Sequence, residues 1–151
     1  EGEIQGHVDG IITDGPVAWE YPFLWECKSA NDKKFKEFQS KGVESANPVY
    51  YAQVLIYQAY MGLTANPALF TVINKNTQEM YFEKVPFNAK VAQRVSDSAV
   101  NILKAVQNNE LMPRVAAKSD SFLCKWCEFR KKCWDDNDEG KKQSRLQPSW
   151  S

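Results

Sequence analysis

Nothing in this 151-residue chain leaves less freedom than Leu24-Trp25-Glu26-Cys27-Lys28-Ser29. The apolar run calls for a strand, and a strand sends alternate side chains to opposite faces. Glu26 and Lys28 therefore share one face, and Trp25 and Cys27 share the other. Charges inside an apolar run are costly to bury unless they pair or hold a metal ion. A second acid lies upstream, Asp9 in Gly6-His7-Val8-Asp9-Gly10-Ile11-Ile12. It stands where a sheet prefers an apolar residue, and reads either as a metal ligand or as a turn-proximal Asp beside Gly10. Two carboxylates and a lysine suit divalent-metal phosphodiester hydrolysis: the acids hold a hard cation, and the lysine places or activates water. Asp9, Glu26 and the backbone carbonyl of Cys27 make a natural oxygen set for Mg²⁺ or Mn²⁺. An ordinary ion pair on a strand is the competing reading. His7, the only histidine, alternates onto the Asp9 face as a further ligand or as a satisfied strand histidine.

The order of elements follows from periodicity and punctuation. Residues 5–12 read as a strand, 13–16 as a turn, 17–19 as a short strand and 21–29 as a longer one. Residues 31–47 are polar and carry Lys33, Lys34, Lys36 and Lys41. They are helical in part, ending at Gly42, and form either a solvated surface or a mobile basic flap that meets phosphates. Asn47 and Pro48 open a helix that stops at Gly62. On it Tyr50, Gln53, Tyr57 and Tyr60 recur at helical spacing on one face. Gln53 is positioned to orient water or to bond Lys28, and Tyr57 to meet a phosphate or a base; a purely structural helix face is the alternative. Residues 68–74 and 78–85 form a hairpin around Lys75-Asn76-Thr77. Asn88 then caps a helix to about residue 108, with Val91, Val95, Ala99, Ile102 and Val106 along one stripe. Together these predict an α/β domain with a mixed central sheet flanked by helices.

Composition narrows the function classes. With 43% hydrophobic and 13% aromatic residues the chain is no disordered segment. No run is long enough to span a membrane, and no signal peptide opens the chain, so no membrane partner and a cytoplasmic setting are expected. Nineteen basic residues balance nineteen acidic ones, which disfavours a nonspecific DNA-coating protein but leaves a nuclease open. The four cysteines are not spaced as a disulfide framework; a metal or cluster site in a reducing compartment fits better. The chain begins in strand-like sequence without an initiator Met, so an upstream segment is expected.

Gly-x-x-Asp-Gly, then Glu-x-Lys on a strand, then Gln-x-x-x-Tyr on the following helix, resembles the RecB-like branch of the PD-(D/E)-x-K nuclease superfamily. The matching positions are Gly6, Asp9, Glu26, Lys28, Gln53 and Tyr57, within a resemblance covering about residues 5–134. It implies a restriction-endonuclease-like core over 1–113, a cysteine segment over 114–134 packed on that core, and a polar tail over 135–151. It implies Mg²⁺ or Mn²⁺ on Asp9 and Glu26, a catalytic Lys28, and support from Gln53 and Tyr57. The implied activity is a deoxyribonuclease, an exonuclease acting on DNA ends or single strands. Its setting would be recombination, repair, a phage or CRISPR adaptation, in a bacterium, an archaeon or a phage-encoded system. A helicase, recombination or CRISPR-adaptation partner goes with it. Cys124, Cys127 and Cys133 are arranged as in CRISPR-associated and helicase-linked relatives that hold a [4Fe-4S] cluster, where the fourth cysteine lies upstream of the core. Cys27 faces away from the acids and reads as core, so the alternatives are three reduced thiols, or a zinc or cluster site completed elsewhere. Lys125, Arg130, Lys131 and Lys132 read as a DNA-facing patch or a solvated helix face. The competing functions are a sequence-specific endonuclease on the same fold and a non-catalytic binding module.

Overall fold

The computed structural model describes residues 5–16 and 18–135, so the expected tail lies outside the described residues but for its first position, as does Val17 of the expected short strand. The chain forms two compact units, Glu1–Asn101 and Ile102–Ser151. In the first, strands β1 (Gly10–Ile12), β2 (Phe23–Ala30), β3 (Ala68–Asn74) and β4 (Met80–Val85) make one sheet in the order β1-β2-β3-β4. β1 runs antiparallel to β2, β2 parallel to β3, and β3 antiparallel to β4, so the expected mixed sheet is present.

The parallel β2–β3 pair needs a long crossover. It is supplied by helices α1 (Asp32–Ala46) and α2 (Pro48–Tyr60). α1 packs on β3 and β4, and α2 on β2 and β3. Their apolar residues close the core over one sheet face: Phe35, Phe38, Val43, Val54 and Leu55 meet Leu24, Phe70, Val72 and Val85. Each such side chain contributes about 1.5–3 kcal/mol by leaving water. The opposite face is less covered. Trp25, Cys27, Leu69 and Ile73 are half-buried there, and Phe82 stays 57% exposed. Cys27 thus faces away from Glu26 and Lys28 as expected, but it is not the core residue that was expected.

The lysine-rich segment is helical, as expected of part of it, and a first correction is that α1 is no flap or bare solvated surface: Phe35 and Phe38 bury it against the core. Asn31 caps it by accepting from Lys34 N–H. Gly42 ends the first stretch of it, as expected, at φ 70° in the left-handed region that favours glycine, and a second helical stretch follows this kink to Ala46. Beyond the kink Val43 N–H donates to Glu83 Oε2 at 2.8 Å, which ties the helix to β4. The second correction is β1, three residues where eight were expected. Asp9 offers its carboxylate to the neighbouring strand, and such side-chain bonding to the backbone competes with a regular ladder. Nor do Ala18 and Trp19 form a strand.

The remaining caps behave as the sequence suggests: Asn47 Oδ1 accepts from Tyr50 N–H, and Asn88 Oδ1 from Val91 N–H. The helix after Asn88 is α3 (Ala89–Gln107). Its predicted stripe is half-buried at Val91, Val95 and Ala99, of which Val91 packs on the core, while Ile102 and Val106 are exposed. The second unit holds two short helices, α4 (Phe122–Lys125) and α5 (Arg130–Asp135). Among the described residues no helix is long and apolar enough to cross a membrane.

Candidate metal and phosphate site

The first unit brings Asp9, Glu26 and Lys28 together, and pairs Gln53 with Tyr57 on α2. β2 places Glu26 and Lys28 on the helix-covered face, in register with Phe70 and Val72 of β3. Glu26 is 1% exposed, and its Oε1 accepts a short hydrogen bond from Lys28 Nζ. Its second oxygen, Oε2, is buried and has no hydrogen-bond partner. Buried carboxylate oxygens are normally satisfied, so this one marks a place where positive charge or a donor is wanted.

Burial pushes the Glu26 carboxyl above its ordinary pKa, outweighing the hydrogen bond and charge of Lys28, and the nearby Asp9 carboxylate pushes the same way. Burial works to lower the Lys28 ammonium, but Glu26 and then Asp9 outweigh it, and its pKa ends above the ordinary value. The pair therefore keeps its lysine charged while its carboxylate remains under-compensated.

Asp9 reaches the site from the segment before β1. Its Oδ2 accepts from the Cys27 main-chain N–H at 2.7 Å. The Cys27 group engaged is the amide donor, not the carbonyl that was expected as a metal ligand. Gln53 does not reach Lys28. Its Nε2 donates to the Tyr57 hydroxyl one turn later at 3.1 Å. The role of Gly6 is visible here: a Cβ at this position would lie 2.7 Å from the Tyr57 hydroxyl oxygen. A glycine lets the chain pass the Tyr57 hydroxyl this closely without displacing it.

Sequence reasoning missed Tyr50 as a site residue. Lys28 Nζ lies 5.1 Å from the centre of its ring, within reach of cation–π attraction. Phe38 and Phe70 hold that ring in place. The available signal was its spacing three residues before Gln53. Tyr60, grouped with this face by periodicity, instead bonds Ser96 at 3.0 Å and is exposed. His7 is exposed and belongs to no strand.

The expected basic residues divide. Lys34 bonds Glu37 and the exposed Lys36 bonds Asp32; Lys33 and Lys41 are exposed too. Arg130, Lys131 and Lys132 are exposed in the second unit.

Two cofactors meet different fits. For Mg²⁺ or Mn²⁺ the acidic site offers two carboxylates and an orphaned buried oxygen, and Mg²⁺ commonly takes one or two carboxylates with waters completing its shell. For a cluster or zinc the residues do not fit: Cys124 is buried, Cys127 exposed and Cys133 half-buried. Among the described residues no three His, Cys, Asp or Glu side chains gather as a ligand set. Comparison with protein-family models, with curated proteins and with solved structures finds no match to this chain.

Proposed function

We propose that the chain is a metal-dependent deoxyribonuclease on a restriction-endonuclease-like core, an exonuclease that hydrolyses phosphodiester bonds at DNA ends or in single strands. The observation that carries the reading is the partnerless buried Oε2 of Glu26, beside the Asp9 carboxylate and a charged Lys28. A purely structural ion pair would be expected to satisfy both carboxylate oxygens.

Asp9 and Glu26 would hold Mg²⁺ or Mn²⁺. Such an ion, when bound, supplies charge stabilisation to the phosphate and lowers the pKa of its water. The protein residues do the rest. Lys28 keeps its proton on Nζ and offers N–H donors to a phosphate oxygen or to the attacking water. The Tyr50 ring limits where that ammonium can move. Tyr57, bonded by Gln53, keeps the chain at Gly6 in position and so aims Asp9. The cysteines take no step in this chemistry. DNA is the proposed partner, in recombination, repair, phage or CRISPR adaptation, with a helicase or recombination protein alongside.

The test is incubation of end-labelled linear single- and double-stranded DNA, and of circular DNA, with Mg²⁺, Mn²⁺ or EDTA. Release of nucleotides from linear DNA with either metal, with circles spared, is the expected result. No cleavage with either metal, or undiminished cleavage by Lys28→Ala, overturns the proposal. Cutting of circles at fixed sites replaces the exonuclease with a sequence-specific endonuclease.

A further inference from the structure

The second unit carries a surface that the cleavage site does not use. Within residues 122–133, Phe122 and Trp126 are each 80% exposed, Phe129 64% and Leu123 60%. Phe122 opens α4 and Trp126 is the residue that caps its other end. Cys124, between them, is turned inward and buried. Isolated exposed apolar residues are ordinary, but three aromatic rings within eight residues are not.

Charge identifies the occupant. The same stretch carries Lys125, Arg130, Lys131 and Lys132 against the single acid Glu128. All four cations are exposed, and Lys125 Nζ lies 5.8 Å from the centre of the Trp126 ring. An apolar protein partner would have to desolvate these cations without compensation. A polyanion with flat apolar groups would satisfy both kinds of side chain. Single-stranded nucleic acid has that chemistry, with phosphates for the cations and unpaired base faces for the rings. Duplex DNA offers the phosphates, but its bases are already stacked on each other.

We propose that Phe122, Trp126 and Phe129, with Lys125, Arg130, Lys131 and Lys132, form a stacking platform for single-stranded nucleic acid. The platform stands whether or not Asp9 and Glu26 cut DNA, so its test is separable from that of the nuclease.

The experiment is fluorescence anisotropy of labelled single-stranded DNA, single-stranded RNA and duplex DNA with the full chain, in EDTA and a thiol reductant. Single strands should bind more tightly than duplex, with DNA and RNA alike if stacking dominates. Trp126→Ala should weaken single-strand binding about tenfold, since one lost base stack is worth about 1–3 kcal/mol. Trp126→Phe should largely restore it, which a folding defect would not. Lys131→Ala with Lys132→Ala should flatten the dependence of log Kd on log salt by about 0.7 per lost contact. Unchanged single-strand affinity in both Trp126→Ala and Phe122→Ala overturns the proposal. So does equal binding of duplex, or a concentration-dependent dimer in sedimentation that Trp126→Ala abolishes, which would give the surface to a second copy.

Discussion

The acidic site on β2 and the cysteine segment of the second unit were comparable on paper, since each is a short spacing of ligand-type residues. In the fold Glu26 and Lys28 meet as an ion pair with Asp9 nearby, while among the described residues no three His, Cys, Asp or Glu side chains gather as a ligand set, the cysteines included. Glu26 and Lys28 lie on a strand whose register with β3 runs through six residue pairs. Main-chain hydrogen bonds hold such a lattice, so a spacing of two becomes a shared face without help from a ligand. Cys124, Cys127 and Cys133 lie on two short helices and the turn between them. There no ladder sets the positions of the side chains, and thiolate sites of this kind owe much of their folding to the ion they bind. A spacing thus carries chemistry furthest where the backbone is already committed.

The largest effect expected from this contrast is catalytic. Lys28→Ala, or Glu26→Gln, should lower metal-dependent cleavage about 10²–10³-fold, the scale of removing one preorganised charge partner. Cys127→Ser should leave the rate within about threefold, because an exposed side chain away from such features changes little. Cleavage assays on all three variants would invert the comparison if the cysteine variant lost activity and the Lys28 variant kept it.

Stability should follow. Lys28→Ala leaves Glu26 buried and uncompensated, at a cost of about 3 kcal/mol near neutral pH. Burial already raises the pKa of Glu26. A carboxyl raised in the folded state burdens the fold while it is ionised, and the burden lifts as pH falls through that raised value. Urea unfolding should therefore show the Lys28→Ala deficit shrinking on acidification. A deficit that stays constant with pH would mean that packing, not charge, was lost.

Metal should act on the same oxygen. Mg²⁺ or Mn²⁺ at a hundred times its Kd should stabilise the chain by about 2.7 kcal/mol. Asp9→Asn should abolish most of the rise in Tm, and Cys127→Ser should keep it. A rise that survives Asp9→Asn would move the ion elsewhere.

A smaller effect belongs to the crossing at Gly6. Gly6→Ala should cost about 1 kcal/mol by crowding the Tyr57 ring. Tyr57→Phe should relieve part of it, a coupling that a double-mutant cycle would read. Smallest is Tyr81, whose pKa burial, with the hydrogen bond to Glu83 behind it, pushes up to about 12. An ultraviolet titration should find a late tyrosine that Glu83→Gln brings earlier. Because the neutral phenol is favoured in the fold, that small contribution to stability fades as pH rises from 10 towards 12.

Much of the first unit was legible in advance. The two helices that open on Asn47 and Asn88, the hairpin around residues 75–77 and the strand through Glu26 all follow from local signals. Those signals are a cap, a proline at the first turn, and a period of two or of 3.6. The illegible parts have a common cause. The helix α1 was legible only in part because Phe35 and Phe38 supply only two anchors before the kink, and the bond from Val43 to Glu83 spans forty residues. β1 was over-extended because nothing in its own residues tells that the Asp9 carboxylate is spent on the backbone of β2. The stripe on α3 is a sound period, but periodicity does not say whether a partner surface is present to cover it.

The sequence by itself determined which residues could share a face, because that depends only on the repeat of the backbone they lie on. It placed Glu26 beside Lys28, and Gln53 one turn from Tyr57. Only the tertiary structure decided what those faces meet. It buried Glu26 and left Oε2 without a donor, brought Asp9 to the Cys27 amide, laid Tyr50 under Lys28, and left the three cysteines ungathered. Burial and long-range bonding are properties of packed elements, and no local period encodes them.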